Sequence, residues 1–97
     1  MKDKIYAYLR SIPEGKVVTY GQIAEYLGNK HLSRAVGNVL HQNPEPESNP
    51  CFKVVNAKGG LAESFAFGGK IGQKTRLEAD GVEVHDYCVD LKKYQYK

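Results

Sequence analysis

Residues 19–41 read TYGQIAEYLGNKHLSRAVGNVLH, and this stretch decides the fold. Thr19 with Gln22 three residues later is the pattern of a capping box, which predicts that a helix begins here. Gly28 suits the left-handed conformation that often ends a helix. Ser33 is the expected cap of a second helix that ends near His41. Two short helices joined by a tight glycine turn predict a helix-turn-helix.

The flanking segments complete a small mixed domain. An N-terminal helix is predicted from apolar residues at helical spacing, which are Ile5, Tyr6, Leu9 and Ile12. Residues 52–55 read as a strand, and residues 61–62 are expected to return beside them as a hairpin, or wing. A last helix is predicted over residues 71–79, followed by an extended tail. The chain is therefore predicted to be a mainly α, single-domain winged helix-turn-helix with a small β component, spanning residues 1–97.

Composition and charge exclude several classes of protein. With 14 Lys and Arg against 11 Asp and Glu, the net charge of +3 permits nucleic-acid binding without requiring it. Cys51 and Cys88 lie in no CxxC or Cys/His spacing typical of zinc, so neither a metal nor another cofactor is expected. No apolar run has the length of a signal or membrane segment. The chain is expected to be cytoplasmic and monomeric, without membrane contact and with reduced thiols.

Residues 49–55 read NPCFKVV and place a cysteine at a stiff corner. Pro50 fixes its own φ angle, and it pushes Asn49 toward an extended conformation. Cys51 is therefore presented where a proline-rich connector enters a predicted strand, which suits a reactive thiol. A lone cysteine is also commonly a buried and inert residue, and the local sequence leaves both interpretations open.

The order of these motifs resembles the DNA-binding and active-site domain of the O6-alkylguanine-DNA alkyltransferase family. The resemblance covers nearly the whole chain, without the separate N-terminal domain of longer members. It is carried by TYGQIA at residues 19–24, SRAVG at 33–37, Asn43-Pro44, PCFKVV at 50–55, Gly68-Gly69 and LEADG at 77–81.

The resemblance implies a DNA repair protein that enters the minor groove of duplex DNA and flips O6-alkylguanine out of the stack. Cys51 would then accept the alkyl group in a single turnover. Arg34 would fill the gap left by the flipped base, Tyr20 would help to rotate the nucleotide, and Asn43 would be a hinge. Further DNA contacts are expected from Ala35, Gly37, Asn38 and Lys53. The lesion pocket is expected to contain Phe52, Ser64, Phe65, Ala66, Phe67 and Gly68.

The residues after the cysteine depart from the family pattern. Active members carry histidine and then arginine there, whereas this chain has Phe52 and Lys53. Asp80 takes the place of the acid in the family's relay to the thiol, but a phenyl ring cannot pass a proton along it. A cysteine thiol is mostly protonated at neutral pH, and an apolar neighbour raises its pKa further by desolvation. The relay from Asp80 to Cys51 is therefore predicted to be broken.

Three functions remain open at this stage. The first is a methyltransferase that acts through Cys51, which the missing histidine would impair. The alternative is a non-enzymatic lesion sensor, similar to the alkyltransferase-like proteins, which lack the cysteine and flag the lesion for other repair proteins. The third is a winged-helix regulatory protein without lesion preference. The sequence leaves open whether His41 reaches Cys51 in the fold.

Overall fold

The computed structural model describes residues 2–45, 47–63 and 65–97. Its helices are α1 (Lys2–Ser11), α2 (Tyr20–Tyr26), α3 (Ser33–His41), α4 (Gly69–Ala79) and α5 (Leu91–Tyr94). Two short 3-10 turns cover Lys30–Leu32 and Cys51–Lys53. Strands β1 (Val18–Thr19) and β2 (Val54–Val55) pair in parallel. Within the described residues, no helix is long and apolar enough to cross a membrane.

The predicted helix-turn-helix is present as α2 and α3. The capping box is formed, because Gln22 N donates to Thr19 Oγ1 at 3.1 Å and Thr19 N donates to Gln22 Oε1 at 2.9 Å. Gly28 follows α2 with φ +92°, as predicted. The expectation that Ser33 caps α3 is wrong. The turn Lys30–Leu32 runs directly into α3, and Asn29 caps that turn by accepting from His31 N.

The core lies on both faces of the short sheet. Successive side chains of a strand point to opposite faces, so Val54 packs into one cluster and Val55 into another. The first cluster joins α1, α2, α3 and Cys51, and it includes Ile5, Leu9, Ile23, Val36 and Leu40. The second is built around α4 and the C-terminal segment, and it includes Val17, Leu77, Val82, Val89 and Tyr94. Cys51 therefore lies on the helix-turn-helix side of the sheet.

The predicted hairpin is wrong, because β2 pairs with β1 and not with residues 61–62. Asn56 closes the turn after β2, since its Oδ1 accepts from Lys58 N and Gly60 N at 2.9 and 2.8 Å. The chain then leaves β2, and Leu61 N donates to Tyr87 O at 3.0 Å. The predicted extended tail is also interrupted by α5, where Asp90 caps the helix by accepting from Lys92 N.

Candidate functional site

Cys51 begins the 3-10 turn that leads into β2, and it is only 5% exposed. Its backbone N–H donates to Asn49 O at 2.7 Å, across the stiff proline corner. Cys51 lines a cavity of about 40 Å³, called here the Cys51 cavity. Its other lining residues are Tyr20, Gly37, Leu40, His41, Val54, Ala62, Phe65, Ala66 and Gln73. Such a volume suits a few water molecules and lies far below the roughly 300–1,000 Å³ of ordinary ligand pockets.

A groove lies next to this cavity on the exposed side of α3. It is open, with a volume of about 570 Å³, and its lining residues are Tyr20, Ser33, Arg34, Gly37, Asn38 and His41. Tyr20, Gly37 and His41 line both the groove and the Cys51 cavity. The groove therefore adjoins the cavity at these three residues.

The predicted DNA contacts are distributed along α3 and its neighbour α2. Arg34 and Asn38 are exposed, and their four-residue spacing places both on the groove side of the helix. Tyr20 and Gly37 are half-buried at the boundary with the cavity, and Ala35 is half-buried on α3. Of the predicted contacts, Tyr20, Arg34, Gly37 and Asn38 line the groove, whereas Ala35 and Lys53 do not. Contact of any of these residues with DNA stays a prediction.

Asn43 connects the end of α3 with the corner that holds Cys51. Its Nδ2 donates to Asn49 O at 2.7 Å, and its Oδ1 accepts from Glu45 N at 3.1 Å and from Asn49 Nδ2 at 3.4 Å. Arg10 of α1 holds the same corner, because its Nη1 donates to Asn49 Oδ1 at 2.6 Å. Asn43 thus ties the end of α3 to the corner that carries Cys51, and its role as a hinge stays a prediction.

Lys53 points into the domain and not toward the groove. It is 5% exposed, its Nζ donates to Ile12 O and Pro13 O at 3.1 Å each, and the same atom lies 3.5 Å from Asp80 Oδ2. Asp80 Oδ2 also accepts from Gly15 N at 3.0 Å. The structure therefore gives Lys53 a structural role in place of the predicted DNA contact. Asp80 holds the turn at residues 13–16 against the end of α4.

The residues predicted to form the lesion pocket lie in different places relative to the Cys51 cavity. Phe65 and Ala66 line the Cys51 cavity, whereas Phe52, Phe67 and Gly68 do not. Successive side chains in a 3-10 turn point about 120° apart, so Phe52 leaves the side that holds Cys51 and packs against the second core cluster. Phe67 instead contacts Phe65 edge-on, with 5.6 Å between ring centroids, and Gly68 precedes α4 with φ +105°. The remaining predicted pocket residue, Ser64, lies outside the described residues.

Residues 1–82 match the family model described as the DNA-binding domain of 6-O-methylguanine DNA methyltransferase. The chain belongs to this family. Among the residues described, no group of three or more histidine, cysteine, aspartate and glutamate side chains could hold a metal ion.

Three relatives within the family show its range. Alkyltransferase-like protein 1 of Schizosaccharomyces pombe is 37% identical over 97% of this chain and 92% of its own length. A DNA base-flipping protein of Vibrio parahaemolyticus is 38% identical over 97% of this chain and 93% of its own length. A bifunctional methyltransferase/endonuclease of Picrophilus torridus is 40% identical over 95% of this chain, which spans only 30% of that protein.

A solved structure confirms the predicted fold class. S. pombe Atl1, in complex with damaged DNA containing O6-carboxymethylguanine, superposes with a TM-score of 0.87 at 36% identity. The match covers 99% of this chain and 94% of the other. The winged-helix-like alkyltransferase fold therefore holds for this member of the family.

Burial controls the acidity of the Cys51 thiol in this family member. Desolvation raises the pKa of Cys51 above its ordinary value, and the smaller opposing effects are hydrogen bonding by Asn43 and by backbone and the positive charge of Arg76. The thiol is therefore mostly protonated at neutral pH. The same shift destabilises the folded protein in alkali, because the thiolate forms more easily in the unfolded chain, so stability falls as pH rises above the ordinary thiol pKa.

A pH series of thiol labelling tests whether the pKa of Cys51 is raised. We expect the rate at which iodoacetamide labels Cys51 to rise continuously from about pH 7 to about pH 9, since labelling follows the thiolate fraction and the pKa is raised. Exposed Cys88 is the internal reference and should label faster throughout, with peptide mass spectrometry separating the two sites. A Cys51 rate that levels off below pH 8 would mean a lowered pKa and would contradict the burial argument.

Sequence reasoning missed the buried residue Gln73, which lines the Cys51 cavity from the middle of α4. Its spacing of four from Leu77 was the available signal, because residues four apart share a helix face and a leucine in a predicted helix marks the face that packs inward. Leu40, Val54 and Ala62 were also missed as cavity residues. They come from separate elements, and only the tertiary fold brings them together.

Proposed function

We propose that this protein recognises O6-alkylguanine in duplex DNA by flipping the damaged base from the groove on α3 into the Cys51 cavity. The observation that carries the proposal is that Tyr20, Gly37 and His41 line both spaces. A duplex seated on the groove would hold a base next to the cavity entrance. The crystal structure of the relative Atl1 with DNA containing O6-carboxymethylguanine supports damaged DNA as the partner.

The energetics of flipping give Arg34 its role in the proposal. Extruding a base costs a few kcal/mol, and less when alkylation has already weakened its pairing. Arg34 is exposed in the first turn of α3 and lines the groove, so its side chain can occupy the vacated position in the stack. The positive end of the helix dipole favours a phosphate nearby. A long planar cation at this position offsets part of the cost of extrusion.

The Cys51 cavity must widen to receive a base, since about 40 Å³ is too small for one. The entrance is the part that can open, because Tyr20 and His41 adjoin the open groove. The inner end is held by β2 and α4 through Val54 and Gln73. The base would therefore enter past Tyr20, with its O6 substituent directed toward Cys51.

Binding to two matched duplexes tests the proposal. They differ only in one guanine, which is either O6-methylated or unmodified, and the measurement is fluorescence anisotropy at a fixed salt concentration. We expect at least about tenfold tighter binding to the methylated duplex, the weak end of the roughly 1–3 kcal/mol range for a specific base contact. Equal affinities would overturn the proposal and favour a winged-helix protein without lesion preference.

A second candidate function is single-turnover alkyl transfer to Cys51, favoured by the position of its thiol inside the cavity. The Cys51 thiolate would attack the alkyl carbon, so that the S–C bond forms as the C–O6 bond breaks. The guanine would keep the electron pair and take up a proton. Because burial raises the pKa of Cys51, the rate is expected to be low, and loss of base assistance alone costs about 10²–10⁴-fold.

Intact-mass measurement separates the two functions. After long incubation with the methylated duplex, transfer predicts the gain of one methyl group, mapped to the Cys51 peptide and absent in Cys51→Ala. No gain, with tight lesion binding retained in Cys51→Ala, would leave recognition as the function and rule out transfer.

A further inference from the structure

Gln73 is the most deeply buried polar side chain among the described residues, at 1% exposure. It lies in the middle of α4 and lines the Cys51 cavity. An amide buried this deeply destabilises a fold unless its hydrogen bonds are satisfied. Its partners therefore decide what it does there.

The Gln73 amide joins two walls of the cavity. Nε2 donates to Phe52 O at 3.0 Å and to Val54 O at 2.8 Å. These two bonds hold the turn that begins at Cys51 and the start of β2. Oε1 accepts from Ala62 N at 2.8 Å, at the beginning of the loop that supplies Phe65 and Ala66. One side chain thus bonds to the segment that carries Cys51 and to the loop that faces it.

We propose that Gln73 is a positioning residue that fixes the width of the inner end of the Cys51 cavity and so limits the size of the group that can reach the Cys51 sulfur. The hydrogen bonds of this amide all lie at the inner end of the cavity, and none goes to the entrance that Tyr20 and His41 line. Small O6 substituents are therefore accepted and bulky ones are disfavoured. The meaning of this limit for DNA rests on the proposed function, but access to the sulfur can be measured without DNA.

The hydrogen-bonding groups of the Gln73 side chain suit this role. An amide supplies both donors for the two carbonyls and the acceptor for Ala62 N, so all three bonds form at once. Methionine at the same position would fill similar space without any of the bonds. Glutamate would keep the acceptor for Ala62 N but would place a carboxylate against two carbonyl oxygens. These two substitutions therefore distinguish the effect of the hydrogen bonds of Gln73 from the effect of its side-chain volume.

Thiol labelling with reagents of two sizes tests the proposal. In a Cys88→Ser background, Cys51 is the only cysteine, and its labelling rates with iodoacetamide and with N-phenylmaleimide are compared at one pH. We expect the ratio of the bulky to the small rate to rise about tenfold in Gln73→Met and less in Gln73→Glu. Gln42→Met, at an exposed position after α3, is the matched control and should leave the ratio unchanged.

An unchanged ratio in Gln73→Met would overturn the proposal, as would a parallel rise of both rates, which indicates general loosening of the fold. If both variants fail to fold, amide hydrogen exchange of the wild-type protein decides. The Ala62 amide should exchange much more slowly than that of exposed Ala57, because it donates to Gln73 Oε1. Equal exchange would mean that the bond does not hold the loop, which also overturns the proposal.

Two DNA duplexes extend the test to the lesion. We expect Gln73→Met to improve binding of O6-benzylguanine relative to O6-methylguanine about tenfold, with unmodified duplex affinity unchanged. A changed labelling ratio without lesion preference in the wild-type protein would sink the proposed function and keep the role of Gln73. Lesion preference with an unchanged labelling ratio would keep the proposed function and overturn the role of Gln73.

Discussion

Replacing Asp80 with alanine is expected to lower the free energy of unfolding by about 3 kcal/mol, the low end for breaking a buried ion pair. Lys53 is nearly inaccessible to water, and its Nζ would keep two carbonyl partners but lose the carboxylate 3.5 Å away. The backbone N–H of Gly15 would lose its acceptor as well. We expect the low end of the range of destabilisation because the Asp80 side chain is 16% exposed, so water can partly replace the missing carboxylate.

Urea denaturation followed by circular dichroism measures this effect. Glu14→Ala is the control, because Glu14 is exposed in the same turn and should change stability by less than about 0.5 kcal/mol. The double variant Lys53→Met with Asp80→Ala should recover part of the loss, since it leaves no unpaired buried charge. A loss below about 1 kcal/mol in Asp80→Ala would show that the pair does not hold the fold.

Replacing Arg34 with alanine is expected to weaken binding to an O6-methylguanine duplex by about 10–100-fold, which corresponds to roughly 1–3 kcal/mol. Arg34 is exposed on α3 and lines the groove, where the proposal places it in the gap left by the flipped base. Unmodified duplex offers no such gap. There the variant should lose only a phosphate contact, which lowers the slope of log affinity against log salt by about 1.

Two further variants separate stacking from charge at this position. Arg34→Lys keeps the positive charge but lacks the planar guanidinium, so it should restore the salt dependence and only part of the lesion preference. Lys92→Ala removes an exposed cation from α5, which contributes no residue to the groove, and should leave lesion preference unchanged. Full lesion preference in Arg34→Ala would contradict the role of Arg34 as the residue that fills the gap.

The helix-turn-helix could be predicted because its signals are local. Thr19 and Gln22 lie three residues apart, and their hydrogen bonds need no other part of the chain. Gly28 likewise meets a requirement of its own backbone. The same kind of local signal failed at Ser33. The 3-10 turn Lys30–Leu32 runs directly into α3, and Asn29 caps that turn, so Ser33 does not act as a cap.

The pairing of residues 61–62 and the role of Lys53 could not be predicted, because residues distant in the sequence decide both. Leu61 bonds to the backbone of Tyr87, and this contact competes with the hairpin that the local turn pattern favoured. Lys53 was predicted to contact DNA, but its ammonium group instead binds Asp80 and the carbonyls after α1 in the interior. The resemblance placed Phe52 in the lesion pocket, but the 3-10 turn directs its side chain to the second core cluster.

Disulfide trapping tests most directly whether a flipped base enters the Cys51 cavity. A duplex carries one guanine with a short O6-thioethyl group as its methyl disulfide, which keeps the substituent small, and this duplex is mixed at mildly alkaline pH with the Cys88→Ser protein. Cys51 thiolate attacks the tethered sulfur and releases the small thiol, so a protein–DNA crosslink forms. We predict a crosslink at Cys51 that excess O6-methylguanine duplex suppresses and excess unmodified duplex does not. Absence of that crosslink, while exposed Cys88 of a Cys51→Ser protein reacts with the same duplex, would show that a flipped base does not enter the cavity.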